Sequence, residues 1–141
     1  MILLDTNVVS EPVCQHPDRR VLDWLDAQAI ESLYLSTISL AELLLGIGNL
    51  PVGRRRAALA AALEQQIVGL FGDRIVPFDI PAAQAYATVV TRARSRGHPI
   101  SIADSLIASI ALAGGLSVAT RDELPFQAAG LVVINPWTHE S

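Results

Sequence analysis

The chain has 141 residues, 51% of them hydrophobic, and a formal net charge of −4 in which every one of the 10 basic residues is an arginine. That length holds one compact domain and not two independent cores, and the apolar content excludes a disordered chain. Only 17% of residues are charged, against roughly 25% in an average soluble domain, so apolar surface is expected to need a partner or a second copy to cover it.

Met1 leads straight into Ile2, Leu3, Leu4 and Asp5, without the basic start of a secretory signal. The longest apolar stretch, 105–119, is too short to span a bilayer and is broken by Gly114 and Gly115. Cys14 is the single cysteine, which excludes an internal disulfide. The expectation is a cytoplasmic protein with no membrane partner.

Residues 1–4 form an apolar run ending at Asp5, the pattern of a buried parallel strand. Over 18–28, Val21, Leu22, Trp24 and Leu25 recur at roughly helical spacing, and 33–37 reads as a second strand. A helix is expected over 39–48, broken by Leu50, Pro51 and Gly53. The alanine- and leucine-rich stretch 54–70 predicts one long helix closed by Gly72 and Asp73. A third strand is expected over 74–78. A helix over 81–96 follows, with Pro81 in its first turn and Gly97 past its end. Another helix runs from Ser101 to about Ala113, stopped by Gly114 and Gly115. Strands are expected over 116–119, leading to Thr120, and over 131–134, closed by Asn135, Pro136 and Trp137. Strands alternating with helices imply a single α/β domain: a mostly parallel central sheet with helices on both faces.

In such sheets, sites form outside the carboxyl ends of the strands. Asp5 ends the first strand, and Asp122 follows the 116–119 strand. Glu42 and Asp104 are expected in the first turns of their helices. Each acid also has a local explanation. Ser39 with Glu42, and Ser101 with Asp104, match capping boxes; Thr120 with Glu123 fits a third, and Asp5 can cap a helix beginning near Thr6. Against those readings stands their apolar company, since a carboxylate among core-forming neighbours is expensive to bury unpaired. Four carboxylates in one pocket would repel one another, and a hard divalent cation relieves the repulsion. Oxygen-only ligands favour magnesium, with manganese as a substitute, and such an ion suits phosphodiester hydrolysis by an activated water.

Acidic balance alone speaks against a nucleic-acid binder, which usually shows a basic face. A bound metal answers that objection, as do two arginine clusters, 54–56 and 92/94/96, which otherwise read as solvated helix ends. Rival chemistries are weak. His16, His98 and His139 lack zinc-ligand spacing, Cys14 has no nucleophile's surroundings, and Gly46-Ile47-Gly48 ends a helix instead of opening one. Aromatics at 5% do not build a base-stacking platform.

The stretch ILLDTNVVSE at 2–11 resembles the first motif of PIN-domain proteins, and STISLAELLLG at 36–46 resembles the second. IADSLIA at 102–108 and VATRD at 118–122 resemble the third and fourth, and VINPW at 133–137 is similar to the ending of VapC-type toxins of the FitB-like subgroup. The ordered set spans essentially the whole chain, 1–141. The resemblance implies a magnesium-dependent endoribonuclease, the toxin of a bacterial toxin–antitoxin pair. Asp5, Glu42, Asp104 and Asp122 would be its catalytic acids, with metal held by Asp5, Asp104 and Asp122 and support from Thr6, Asn7 and Thr120. It implies an RNA substrate, a cognate antitoxin, a homodimer, and assembly on operator DNA through the antitoxin. The antitoxin's docking surface would lie on the helices over 39–48 and 57–70. Many family members carry Asn where Asp122 stands and a second acid just before the phenylalanine; here that place is Pro125, before Phe126. Two other readings keep the pocket: a non-catalytic PIN-like module binding RNA or protein, and a metal-dependent phosphatase of small molecules.

Overall fold

The structure is a computed structural model and describes residues 1–138, so His139 lies outside the described residues. Five short strands form its sheet: β1 (Ile2–Leu4), β2 (Leu33–Ser36), β3 (Ile75–Val76), β4 (Ser117–Ala119) and β5 (Val133–Ile134). Their order across the sheet is β3-β2-β1-β4-β5, and every neighbouring pair is parallel.

Side chains alternate across each strand, and here both faces are covered, so the strands are apolar throughout. Leu3 and Val118 enter one core, with Val89, Ile107, Ile110 and Phe126 from α6 (Ile80–Ser95), α7 (Ile102–Gly114) and α8 (Glu123–Ala128). Leu4, Leu35 and Ala119 enter the other, with Val8 from α1 (Thr6–Ser10), Val21 and Trp24 from α2 (Arg19–Ala27), Phe71 and Trp137. The result is three layers, helices on both faces of the sheet, as the alternation of elements implied. Among the described residues no helix is long and apolar enough to cross a membrane.

Three elements differ from the sequence expectation. First, α3 spans Thr37–Gly48 because the Ser36 hydroxyl accepts from the Ser39 amide at 3.0 Å and caps the helix two residues early. Second, the expected long helix is α4 (Arg54–Leu63), then a π-helical segment (Glu64–Val68) and a last turn, α5 (Gly69–Phe71). The wider turn shifts the helix's phase: α4 buries no residue, whereas Ile67 and Phe71 reach the second core. Third, α8 (Glu123–Ala128) follows β4 in a stretch where no helix is expected from the sequence. Proline is tolerated in a first turn, where its missing N–H has no acceptor to lose.

From β1 the chain crosses to β2 and β3 on one side, and later to β4 and β5 on the other. Connections leaving the carboxyl ends of β1 and β4 therefore diverge, and in open parallel sheets that divergence is where ligand sites form.

Candidate active site

Asp5 stands at the exit of β1, its amide bonded to the Ala119 carbonyl of β4 at 2.9 Å. Only 5% of the residue is exposed, and its carboxylate caps α1 by accepting from the Thr6 amide at 2.8 Å. The other oxygen accepts the Thr120 hydroxyl at 2.8 Å and the Asn7 side-chain amide at 3.5 Å. Thr120 has no exposed surface; its hydroxyl also accepts from the Asp122 amide at 3.0 Å, and its own amide donates to Ile134 of β5. One hydroxyl thus ties the Asp5 carboxylate to the loop that carries Asp122. Asn7 adds a second tie by accepting from the Arg121 amide at 3.4 Å.

Glu42 lies in the second turn of α3, since the helix begins at Thr37, and not in the first as the sequence suggested. The capping box with Ser39 does not form, because Ser36 is the cap. Instead the Glu42 carboxylate accepts from the Thr6 hydroxyl at 2.8 Å. Thr6 in turn meets the Ser39 hydroxyl at 3.0 Å, and Ser39 meets the Ser36 hydroxyl at 3.3 Å. Each hydroxyl has one proton to give, so the row Ser36, Ser39, Thr6 can donate stepwise and end on Glu42. Ser36 and Ser39 are completely buried and were missed as positioning residues; two buried-type serines three apart were their only trace in the sequence.

Asp104 is the third residue of α7, whose Ser101 cap accepts from the Asp104 amide at 3.2 Å. Among the described residues, no bond returns from the Ser101 amide to the Asp104 carboxylate, so that box is half made. Asp122 precedes α8 without a side-chain capping bond. Glu123, the acid expected to close a box with Thr120, accepts from the Asn135 side chain at 3.1 Å instead. Both Asp104 and Asp122 are left for other work.

Asp5 and Asp104 feel the charges of neighbouring acids. Burial pushes the Asp5 carboxyl up from 3.8 to about 6; the Thr120 and Thr6 bonds hold it back, and the Asp104 and Glu42 charges push it further. Burial also raises Asp104; the Ser101 hydroxyl opposes the rise, while the charges of Asp122 and Glu42 add to it. No cation compensates them: the ion pairs among the described residues are Arg19–Asp23 and Arg20–Asp18. Equally, no three His, Cys, Asp or Glu side chains among the described residues close around a point as a ready cage. An all-oxygen set of this kind fits a magnesium-like ion, which keeps its waters and takes one or two carboxylates, better than it fits zinc.

A sequence model of the family described as PIN domain matches residues 2–130, a span that contains all four acids. The chain belongs to the PIN-domain family. It is 49% identical over 137 residues to the VapC ribonuclease Y4jK of Sinorhizobium fredii, covering 97% of this chain and 98% of that one. It is 48% identical over 137 residues to the toxin FitB of Neisseria gonorrhoeae, covering 97% and 99%. The solved structure of FitAB bound to an IR36 DNA fragment aligns with a TM-score of 0.94 at 45% identity, covering 100% of this chain and 99% of that chain. The PIN-domain resemblance of the motifs and the all-parallel α/β sheet are therefore both found.

Proposed function

We propose that this PIN domain is the toxin of a toxin–antitoxin pair and acts as a magnesium-dependent endoribonuclease. The observation that carries the reading is at the strand exits of β1 and β4: the charges of Asp104 and Glu42 act on the buried Asp5 carboxyl, those of Asp122 and Glu42 act on Asp104, and among the described residues no cation is paired to them. The ribonuclease and toxin names of relatives about half identical over nearly the whole chain support it. Asp5, Asp104 and Asp122 would hold the ion, with manganese as a substitute. Bound there, the ion supplies Lewis-acid polarisation of an RNA phosphodiester and a water of lowered pKa. Thr120 and Asn7 fix the Asp5 carboxylate, and the hydroxyl row ending at Thr6 aims Glu42. Held in place by that bond, Glu42 is the acid free to take a proton from the attacking water.

The antitoxin covers the α3–α4 face. Leu45, Val52, Leu59 and Val68 are exposed there, and a groove between the helices is lined by Leu44, Ile47, Ala57 and Ala60. This is the uncovered apolar surface that the low charge content anticipated. A homodimer belongs to the same reading, as does an antitoxin-borne assembly on operator DNA, which the likeness to FitAB bound to a DNA fragment supports.

Purified chain with magnesium should cut RNA, and Asp5→Asn and Asp104→Asn should lower the rate by on the order of 10²-fold or more. Equal cleavage by those variants removes the assignment. Calorimetry with manganese separates the non-catalytic alternative: ion binding that is indifferent to Glu42 and Asp104 would favour a module that binds without cutting.

A further inference from the structure

An acidic crevice repels the polyanion it is proposed to cut, so a cation beside it is needed to hold the strand. Most of the arginines are engaged elsewhere. Arg19 and Arg20 pair with aspartates, and Arg56, Arg74 and Arg96 donate to main-chain carbonyls. Arg92 lies so close against Gly130 that a side chain there would meet its guanidinium at 2.8 Å. Of the cluster at 92/94/96, then, two members brace the end of α8. Arg54 and Arg55 sit in the first turn of α4 and Arg94 in the last turn of α6.

Arg121 is different. It lies between Thr120, which bonds Asp5, and Asp122, on the loop leaving β4. It is exposed and makes no ion pair among the described residues; Asp18 feels its charge but hydrogen-bonds Arg20. Its amide is pinned by Asn7 at 3.4 Å, and its guanidinium lies over the Trp137 ring, 5.2 Å from the centroid. Trp137 is 5% exposed and is packed in the second core with Val21 and Trp24, so the support is rigid. A guanidinium that rests its face on an aromatic ring keeps its in-plane N–H donors for an anion, in the fork geometry that suits phosphate. The closing Asn135-Pro136-Trp137 motif, which the acid pocket does not use, acquires a role as the mount.

We propose that Arg121, mounted on Trp137, grips an RNA backbone phosphate beside the one that is cut. The inference rests on the ribonuclease reading. Its test uses the Asp104→Asn chain, which on that reading holds RNA uncut, with fluorescence anisotropy of a labelled single-stranded RNA across a salt series. Adding Arg121→Gln should weaken binding roughly three- to tenfold and flatten the log K against log salt slope by about 0.7, the signature of one lost phosphate contact. Arg121→Lys, a point charge without the planar fork, should restore the slope while leaving affinity below that of the parent. A purely structural role for Arg121 would move the thermal midpoint but not the slope. Unchanged affinity and slope in Arg121→Gln overturn this proposal alone, with the parent still binding. A parent chain that neither binds nor cuts RNA overturns the ribonuclease reading and this proposal with it.

Discussion

The β1–β4 seam in the middle of the sheet and the α3–α4 arm are built on opposite terms. At the seam, Leu3, Leu4, Val118 and Ala119 are at most 2% exposed, and both oxygens of the Asp5 carboxylate have donors. In the arm, α4 buries nothing and α3 buries only Ser39, while Leu45 and Val52 are 65% and 83% exposed. The seam therefore meets its hydrogen-bonding needs within the chain but, among the described residues, leaves its four acids without a cation; the arm leaves its apolar needs unmet. Charge left over calls for an ion and an anion, and apolar surface left over calls for a protein. On the proposed reading, catalysis and control are two kinds of deficit in one domain.

The contrast breaks most readily in the core beneath the seam. Phe126, fully buried on α8, joins Leu3 and Val118 across the first core. Phe126→Ala should destabilise by about 3–5 kcal/mol, read from urea unfolding. A loss below about 1 kcal/mol would mean that this core yields as easily as the arm.

Asp5 gives the next largest effect, with the opposite sign. Its carboxyl titrates near 6 in the fold against 3.8 in an ordinary aspartate, so the fold favours the protonated form. That contribution is complete below pH 3.8 and is lost as pH rises through about 6. Above that pH the buried charge costs about 2–3 kcal/mol in the metal-free chain. Asp5→Asn should therefore stabilise the metal-free chain at pH near 7.5 by about that amount and flatten its stability between pH about 4 and 7. Magnesium or manganese should reverse the order. At a hundredfold excess over Kd an ion adds about 2.7 kcal/mol to the parent, and chelation should remove it, with little change in the variant. If Asp5→Asn unfolds at lower urea than the parent at both pH values, the buried charge is not the strained element.

How much of this was legible depends on the range of the interaction that decides it. The run Ile2–Leu4 ending at Asp5 declares a buried strand and an acid at its exit, because both faces of β1 are apolar and the period cannot hide it. Ser39 was misread as a cap because Ser36 and Ser39 qualify equally in sequence; a single 3.0 Å bond in the fold chooses Ser36. That choice moves Glu42 one turn inward and hands it to Thr6. The π-helical segment leaves no mark either, since Glu64–Val68 has the propensities of ordinary helix and is set by where Ile67 and Phe71 find a core. Nor does spacing tell a free arginine from a bracing one. Arg96 looks like a member of a basic cluster until the Ala128 carbonyl appears 3.0 Å away.

A smaller effect, about 1 kcal/mol, tests whether the hydroxyl row serves the fold or the site. Ser39→Ala removes the link between Ser36 and Thr6 but keeps the Ser39 amide that Ser36 caps. Stability should fall by about 1 kcal/mol, whereas RNA cleavage should fall about tenfold, because Glu42 loses the support behind its Thr6 donor. A stability loss with cleavage intact would assign the row to packing alone.

The smallest expected effect lies in the arm, where near-silence is informative. Leu45→Gln and Leu59→Gln place a good helix former on exposed helix surface, so each should change the stability of the isolated chain by less than about 0.5 kcal/mol. If the arm's apolar face is kept for a partner, the same two changes should weaken antitoxin binding at least tenfold, since buried leucines at an interface are lost without compensation. Should either variant instead unfold early in isolation, the side chain is packing the chain's own core and the arm is not a docking surface. The free chain and the complex must therefore respond differently to one pair of substitutions, which core residues such as Phe126 cannot do, because their loss is felt in both.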